Sequence, residues 1–258
     1  MNLAKVKKIK KNILKASYMG QEGHIASSFS VLDVLFVLYD CIMNISPLTL
    51  SSNDRDFLIL SKGHASLGHA AVLEHFKFIK KNDLMSYCSF DSILGGHLDK
   101  NKVPGVEAST GSLGHGIAIS VGIAMASKIK KIPNTTYVIV GDGECNEGTF
   151  WEAMLLASNH KLDNLCCIID YNRSNDRALK LDPLEEKLVA FGWSVEVIDG
   201  HSHSQIMQST NAINPSKPRA IIANTIKGHG IKELENNPAW HHRTPSQEEL
   251  KEMFEELS

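Results

Sequence analysis

Two rhythms of apolar and polar positions run along this chain. Val6, Ile9 and Ile13 recur at helical spacing within the lysine-rich opening 1–18, which predicts an amphipathic helix. Residues 31–42 form the most apolar run, but Asp33 and Asp40 interrupt it and it is shorter than the ~20 residues a membrane span needs. It is expected to be a buried helix, with Ser30 and Asp33 as a capping box at its start and a small-residue turn over 21–30 before it. Short runs rich in β-branched residues at 54–61, 137–140, 165–170, 194–198 and 219–225 read as strands. Between them, 117–130, 147–160 and 184–192 read as helices, with Phe150, Ala153, Met154 and Ala157 on one side of the second. Strands alternating with helices predict an α/β fold of three layers, a parallel sheet with helices on both faces. We expect a single domain over 1–258, with an N-terminal helix at about 1–20 and a C-terminal tail at about 232–258.

Composition narrows the class. At 258 residues and 43% apolar, the chain can bury a substantial core. A net charge of -2 with scattered basic residues gives no footprint for nucleic acid, and no segment asks for a membrane. Five cysteines, two of them adjacent at Cys166-Cys167 inside an expected strand, form neither a metal-type spacing nor a disulfide framework, which points to a reducing cytoplasm. The opening lysines lack the apolar core and small-residue cleavage site of a targeting peptide.

The candidate chemistry concentrates between residues 137 and 172. Gly141-Asp142-Gly143 ends one expected strand, and Asp170-Tyr171-Asn172 ends the next after a single helix. Parallel strands joined this way put both ends on the same edge of the sheet, where open α/β sheets bind ligands. A carboxylate and an amide oxygen are hard ligands suited to Mg²⁺, which completes its octahedron with phosphate oxygens and water. Gly143 and the start of the following helix would offer N–H groups to the same phosphates.

Gly141-Asp142-Gly143 through Asn172 resembles the thiamine diphosphate motif, and Gly148-Thr149-Phe150-Trp151-Glu152-Ala153 resembles the transketolase family in particular. So do Lys62-Gly63-His64-Ala65, Gly95-Gly96-His97 and the block from Pro104 to Gly116. The resemblance implies that His24, His64, His97 and His241 surround the reacting carbons, and that Gly111, Ser112 and Leu113 line the cofactor. It implies further cofactor contacts from His64, Gly141, Asp142, Gly143, Glu144, Asn172 and Lys227. Mg²⁺, or Ca²⁺ or Mn²⁺ in its place, would be held by Asp142, Asn172 and the backbone carbonyl of Ser174. Glu147, and less centrally Glu152, would lie at an interface between subunits and help relay protons. His69, His75, His229, His242 and the Asp199-Gly200-His201 turn receive no chemical role. The chain departs from the family at His115, where glutamine is expected, and at Ser174, where an apolar residue often packs. The connection 173–183 is shorter than expected and lacks an Asp-Gly turn.

In this family a glutamate on a second domain activates the cofactor's aminopyrimidine, and the resemblance covers only the amino-terminal portion of a full transketolase. The expectation is therefore a split enzyme. A separate C-terminal subunit would supply the pyrimidine-binding domain in an α2β2 heterotetramer acting on sugars or sugar phosphates. The alternatives are a 2-oxoacid dehydrogenase or decarboxylase component, a deoxyxylulose-phosphate synthase relative, or a non-catalytic assembly partner. The last would predict a degraded metal pair, and Asp142, Gly143 and Asn172 are intact.

Overall fold

The computed structural model describes residues 3–176, 178–212 and 216–258. Its centre is a sheet of five parallel strands, β1 (Phe57–Leu60), β2 (Thr136–Gly141), β3 (Leu165–Tyr171), β4 (Ser194–Asp199) and β5 (Arg219–Asn224), in the order β1-β2-β3-β5-β4. Because strand side chains alternate in direction, neighbouring residues enter different cores. Tyr137, Ile139, Cys166, Ile168 and Ile221 face one core, whereas Val138, Val140, Cys167, Ile169 and Ile222 face the other.

The second core is closed by α5 (His115–Lys130), α6 (Gly148–Asn159) and α7 (Leu184–Ala190), through residues such as Ile117, Met154 and Leu188. The first is closed by α1 (Leu3–Gly20), α2 (Ile25–Val37), α3 (Ser66–His75), α4 (Lys81–Met85), α8 (His203–Asn211) and α9 (Gln247–Glu256). The chain steps in one direction along the sheet from β1 to β4 and then turns back to β5. Parallel crossovers keep a right hand, so the returning helix, α8, has to lie on the opposite face from α5, α6 and α7.

The three-layer α/β reading holds, with local corrections. The buried helix starts six residues earlier than the apolar run suggests, at Ile25, and a single π-type turn over Leu38–Ile42 continues it. All thirteen residues of α2 are buried. The window Ile25–Ile42 is apolar enough to cross a membrane but is 83% buried, so it is a core helix. Ser30 and Asp33 form no capping box: they lie inside the helix and their side chains reach other strands and loops. Local spacing matched the motif, but long-range partners claimed both residues. The helix α8 was not expected from the sequence, whose reading went no further than the turn before it.

Candidate active site

The carboxyl ends of the strands carry a polar network. Lys62, just after β1, forms an ion pair with Asp170, the penultimate residue of β3, and both side chains are 1% exposed. Asp170 also accepts from Ser30 Oγ, at 2.6 Å on Oδ1, and from Thr225 Oγ1, just after β5. The amide of Asn172 donates to this network through Nδ2, at 3.3 Å to both Ser30 Oγ and Asp170 Oδ2. Its orientation is thereby fixed, and Oδ1 is left to accept the Ser174 N–H at 3.1 Å, with a second lone pair to offer.

Asp142 stands at the end of the neighbouring strand, β2, and is 4% exposed. One carboxylate oxygen accepts the Gly143 N–H at 2.7 Å, and the other is buried with no hydrogen-bond partner among the described residues. Burial raises this carboxyl; the Gly143 bond, Lys62 and Lys227 oppose the rise, while Asp170 adds to it. A buried carboxylate oxygen with no hydrogen bond is costly, and a bound cation removes that cost. The donor set therefore fits a hard divalent ion at Asp142 and Asn172.

The glycines around it point the same way. Neither Gly141 nor Gly143 has positive φ, so the turn itself does not require glycine. A Cβ on Gly143 would come no closer than 3.5 Å to Asn175 Oδ1, an ordinary contact. The chain leaves open the space that a side chain would fill, as a phosphate cradle needs. The following helix does not begin at Gly143, because a 3₁₀ turn over Gly143–Asn146 intervenes and α6 starts at Gly148.

Next to this edge lies a cleft of about 540 Å³ lined by Asn172, Ser174, Thr225, Lys227, Asn237 and His241, among others. Lys227 donates to His241 Nδ1 at 2.9 Å. Its pKa is lowered by burial and by Lys62, against the pull of Asp142 and Asp170. His241 is delivered by the 3₁₀ turn Pro238–Trp240, which Asn237 caps and which Trp240, 1% exposed, anchors in the core.

Three of the expected histidines converge. Ring centroids are 5.6 Å apart for His24 and His64, 5.3 Å for His24 and His241, and 6.1 Å for His64 and His241. His24 Nδ1 donates to the His241 carbonyl at 2.8 Å, leaving Nε2 unprotonated in the neutral ring. Burial, Lys62 and the nearby rings push His64 down to about 2, and burial above all takes His24 to about 4. Both are neutral at physiological pH. His97 joins through Gly63: a Cβ there would lie 2.5 Å from His97 Nδ1 and 3.0 Å from Gly111 N, so glycine lets the His97 and Gly111 loops close against the residue before His64.

One expected cofactor contact, Glu144, points its side chain elsewhere. The Glu144 carboxylate turns inward, 2% exposed, and accepts from Ser61 Oγ, Gly114 N at 2.8 Å and Gly141 N at 3.1 Å. It ties three loops together instead of facing the cofactor cleft. Glu147 is exposed at the start of α6, packed against Gly114, and takes no part in the histidine contacts. Gly111 and Ser112 are exposed, and His115 donates to the Leu113 carbonyl at 3.1 Å. His69 is structural, buried against the Tyr39 hydroxyl at 2.9 Å. Sequence reasoning missed Lys62, Asp170, Ser30 and Thr225, which build the floor of the site from four separate segments.

An open parallel sheet with a buried carboxylate and a cleft bordered by His241 at its carboxyl edge is the arrangement of an α/β cofactor-binding domain. The family model described as "Transketolase, thiamine diphosphate binding domain" matches residues 4–258, and the chain belongs to that family. It is 40% identical over 241 residues to one of the named subunits of the apulose-4-phosphate transketolase of Actinobacillus succinogenes, covering 91% of this chain and 87% of the relative. It is 37% identical to the 6-deoxy-6-sulfo-D-fructose transketolase subunit SqwG of a Clostridium species, covering 91% and 88%. Among solved structures, transketolase from Leishmania mexicana superposes with a TM-score of 0.91 at 25% identity. That match covers 100% of this chain but only 41% of the longer one, so the chain spans about two-fifths of that transketolase.

Proposed function

We propose that this chain is the diphosphate-binding subunit of a two-subunit transketolase, moving a two-carbon ketol unit from a ketose or ketose phosphate to an aldose. The observation that carries the reading is the buried Asp142 Oδ2, unpartnered among the described residues, at the sheet edge beside Asn172. When bound, thiamine diphosphate supplies a ring carbon that can accept and release the two-carbon fragment as a stabilised carbanion equivalent. This chain's residues would do the rest. Asp142, Asn172 and the Ser174 carbonyl would hold Mg²⁺, and Lys227 would neutralise phosphate charge. His24 and His64, neutral through burial, would accept hydrogen bonds from substrate hydroxyls at their bare ring nitrogens, while His97 and His241 would orient them.

Three further points belong to the proposal. The partner is a separate polypeptide carrying the pyrimidine-binding domain, a reading supported by the similarity to relatives that are themselves named as transketolase subunits. The assembly is α2β2, supported by the exposed apolar side chains Ile119, Ile129, Leu155 and Leu156 on α5 and α6. The compartment is the reducing cytoplasm, supported by five free cysteines. The test is turnover with Mg²⁺ and thiamine diphosphate. A ketose donor should be consumed only when both subunits are present. Turnover by this chain alone, or use of pyruvate in place of a ketose, would contradict the proposal.

A further inference from the structure

Behind the loop that carries Lys227 lies a polar cluster with no place in the chemistry above. Asp33, within α2, is 4% exposed. Its Oδ1 lies 2.8 Å from His203 Nε2, and its Oδ2 lies 2.9 Å from His201 Nδ1. The other ring nitrogen of His201, Nε2, accepts the Ile226 N–H at 2.9 Å. The His229 ring stacks on His201 with centroids 3.6 Å apart, and its buried Nδ1 stands 3.7 Å from Asp33 Oδ2. Burial alone would raise the Asp33 carboxyl, but the hydrogen bonds from His201 and His203 outweigh it and keep the group an anion.

Asp33, His201 and His229 bring ligand atoms within 4.8 Å of one another, a spacing a metal ion could use. The proton positions argue against one. A backbone N–H can only donate, so His201 Nε2 is the bare nitrogen and Nδ1 carries the proton, which it gives to Asp33. A metal at Nδ1 would require an imidazole stripped of both protons. The hydrogen bonds instead form a directed chain from a backbone amide to a buried carboxylate.

That chain ends one residue before Lys227, and α2 holds the other side as well, since Gly228 N donates to the Ala26 carbonyl at 2.9 Å. Gly228 has φ +82°, and a Cβ there would collide with the Leu234 backbone, so the loop has one tight path. Thr225, the residue before Ile226, is fixed through its hydroxyl on Asp170. Lys227 is thus bracketed by anchors, two of them on one helix.

We propose that Asp33 and His201 are positioning residues that act through the Ile226 amide to aim Lys227 at the diphosphate. The relay works as the carboxylates behind metal-bound histidines do, where a carboxylate–histidine pair fixes the group in front of it. The inference rests on the cofactor reading given above.

The test is titration calorimetry of thiamine diphosphate with Mg²⁺ into the two-subunit complex, with thermal melting of each complex alongside. His201→Phe removes both hydrogen bonds and should weaken binding by about tenfold, as expected for a buried bond lost next to the ligand. His201→Gln keeps a donor and an acceptor on one side chain and should stay within about threefold of wild type. In a Lys227→Met background, His201→Phe should change affinity by less than about twofold, because the residue it positions is gone. Equal losses from His201→Phe in both backgrounds, an equal loss from the Gln and Phe variants, or no loss at all would each overturn the relay. A wild-type complex that takes up no thiamine diphosphate would overturn the cofactor reading itself.

Discussion

Lys62 and Asp170 set the electrostatics of the site at the scale of single residues. Asp170 is held ionised against the cost of its own burial, by Lys62 first and then by Ser30 and Thr225. Removing Lys62 would strand that charge, so Lys62→Met should destabilise the fold by about 3–5 kcal/mol, and Lys62→Met with Asp170→Asn by clearly less. Urea unfolding of the single and double variants measures this directly. The histidines give a second prediction. His24 and His64 titrate below the ordinary range, at about 4 and about 2, because burial disfavours the imidazolium. The unfolded chain binds these protons near the usual value and the folded chain does not. Their contribution to stability is therefore complete above about pH 6.5 and is lost as pH falls below it. In NMR titrations both rings should stay neutral from pH 8 to 5, and a midpoint near 6.5 for either would contradict the assigned environment.

At the scale of elements, the loops after β1, β2, β3 and β5 do the positioning, and Gly63 is required where two of them pack on each other. Gly63→Ala should drive a Cβ into His97 and Thr110, whose Cβ stands 2.7 Å from the added atom. Overpacking of that kind costs about 1–3 kcal/mol, and it should loosen His97 from its place beside His64. Thermal melting and substrate KM measured together would show both effects. The same scale explains what could be read in advance. Asp142 and Asn172 were legible because a strand, helix and strand separate them, so chain direction alone puts them on one edge. The histidines and Lys227 were legible only through resemblance, since nothing local distinguishes His24 from His69. The Asp170 network and the Asp33 cluster were not legible, because they join residues up to 170 positions apart and because Ser30 and Asp33 already matched a local capping pattern. The direction of the Glu144 side chain was not legible either: its place in the motif is conspicuous, but its carboxylate turns back to the loops.

At the scale of the whole molecule, the site is open where the histidines meet solvent, and one face of α5 and α6 is apolar. Ile129 is 75% exposed and Leu155 56%, large values for side chains of this type on neighbouring helices. If the α2β2 assembly buries this face, Leu155→Glu with Ile129→Glu should lower the mass seen by sedimentation from that of two copies of each subunit. An unchanged mass would locate the interface elsewhere. The central claim is narrower than the assembly and is tested best by calorimetry of thiamine diphosphate into the two-subunit complex, with and without Mg²⁺, for wild type and Asp142→Ala. The account predicts Mg²⁺-dependent uptake by wild type and a loss of more than about 100-fold in the variant, since even outer partners of a bound metal cost 10–100-fold. Equal Mg²⁺-dependent affinity in both proteins would contradict it.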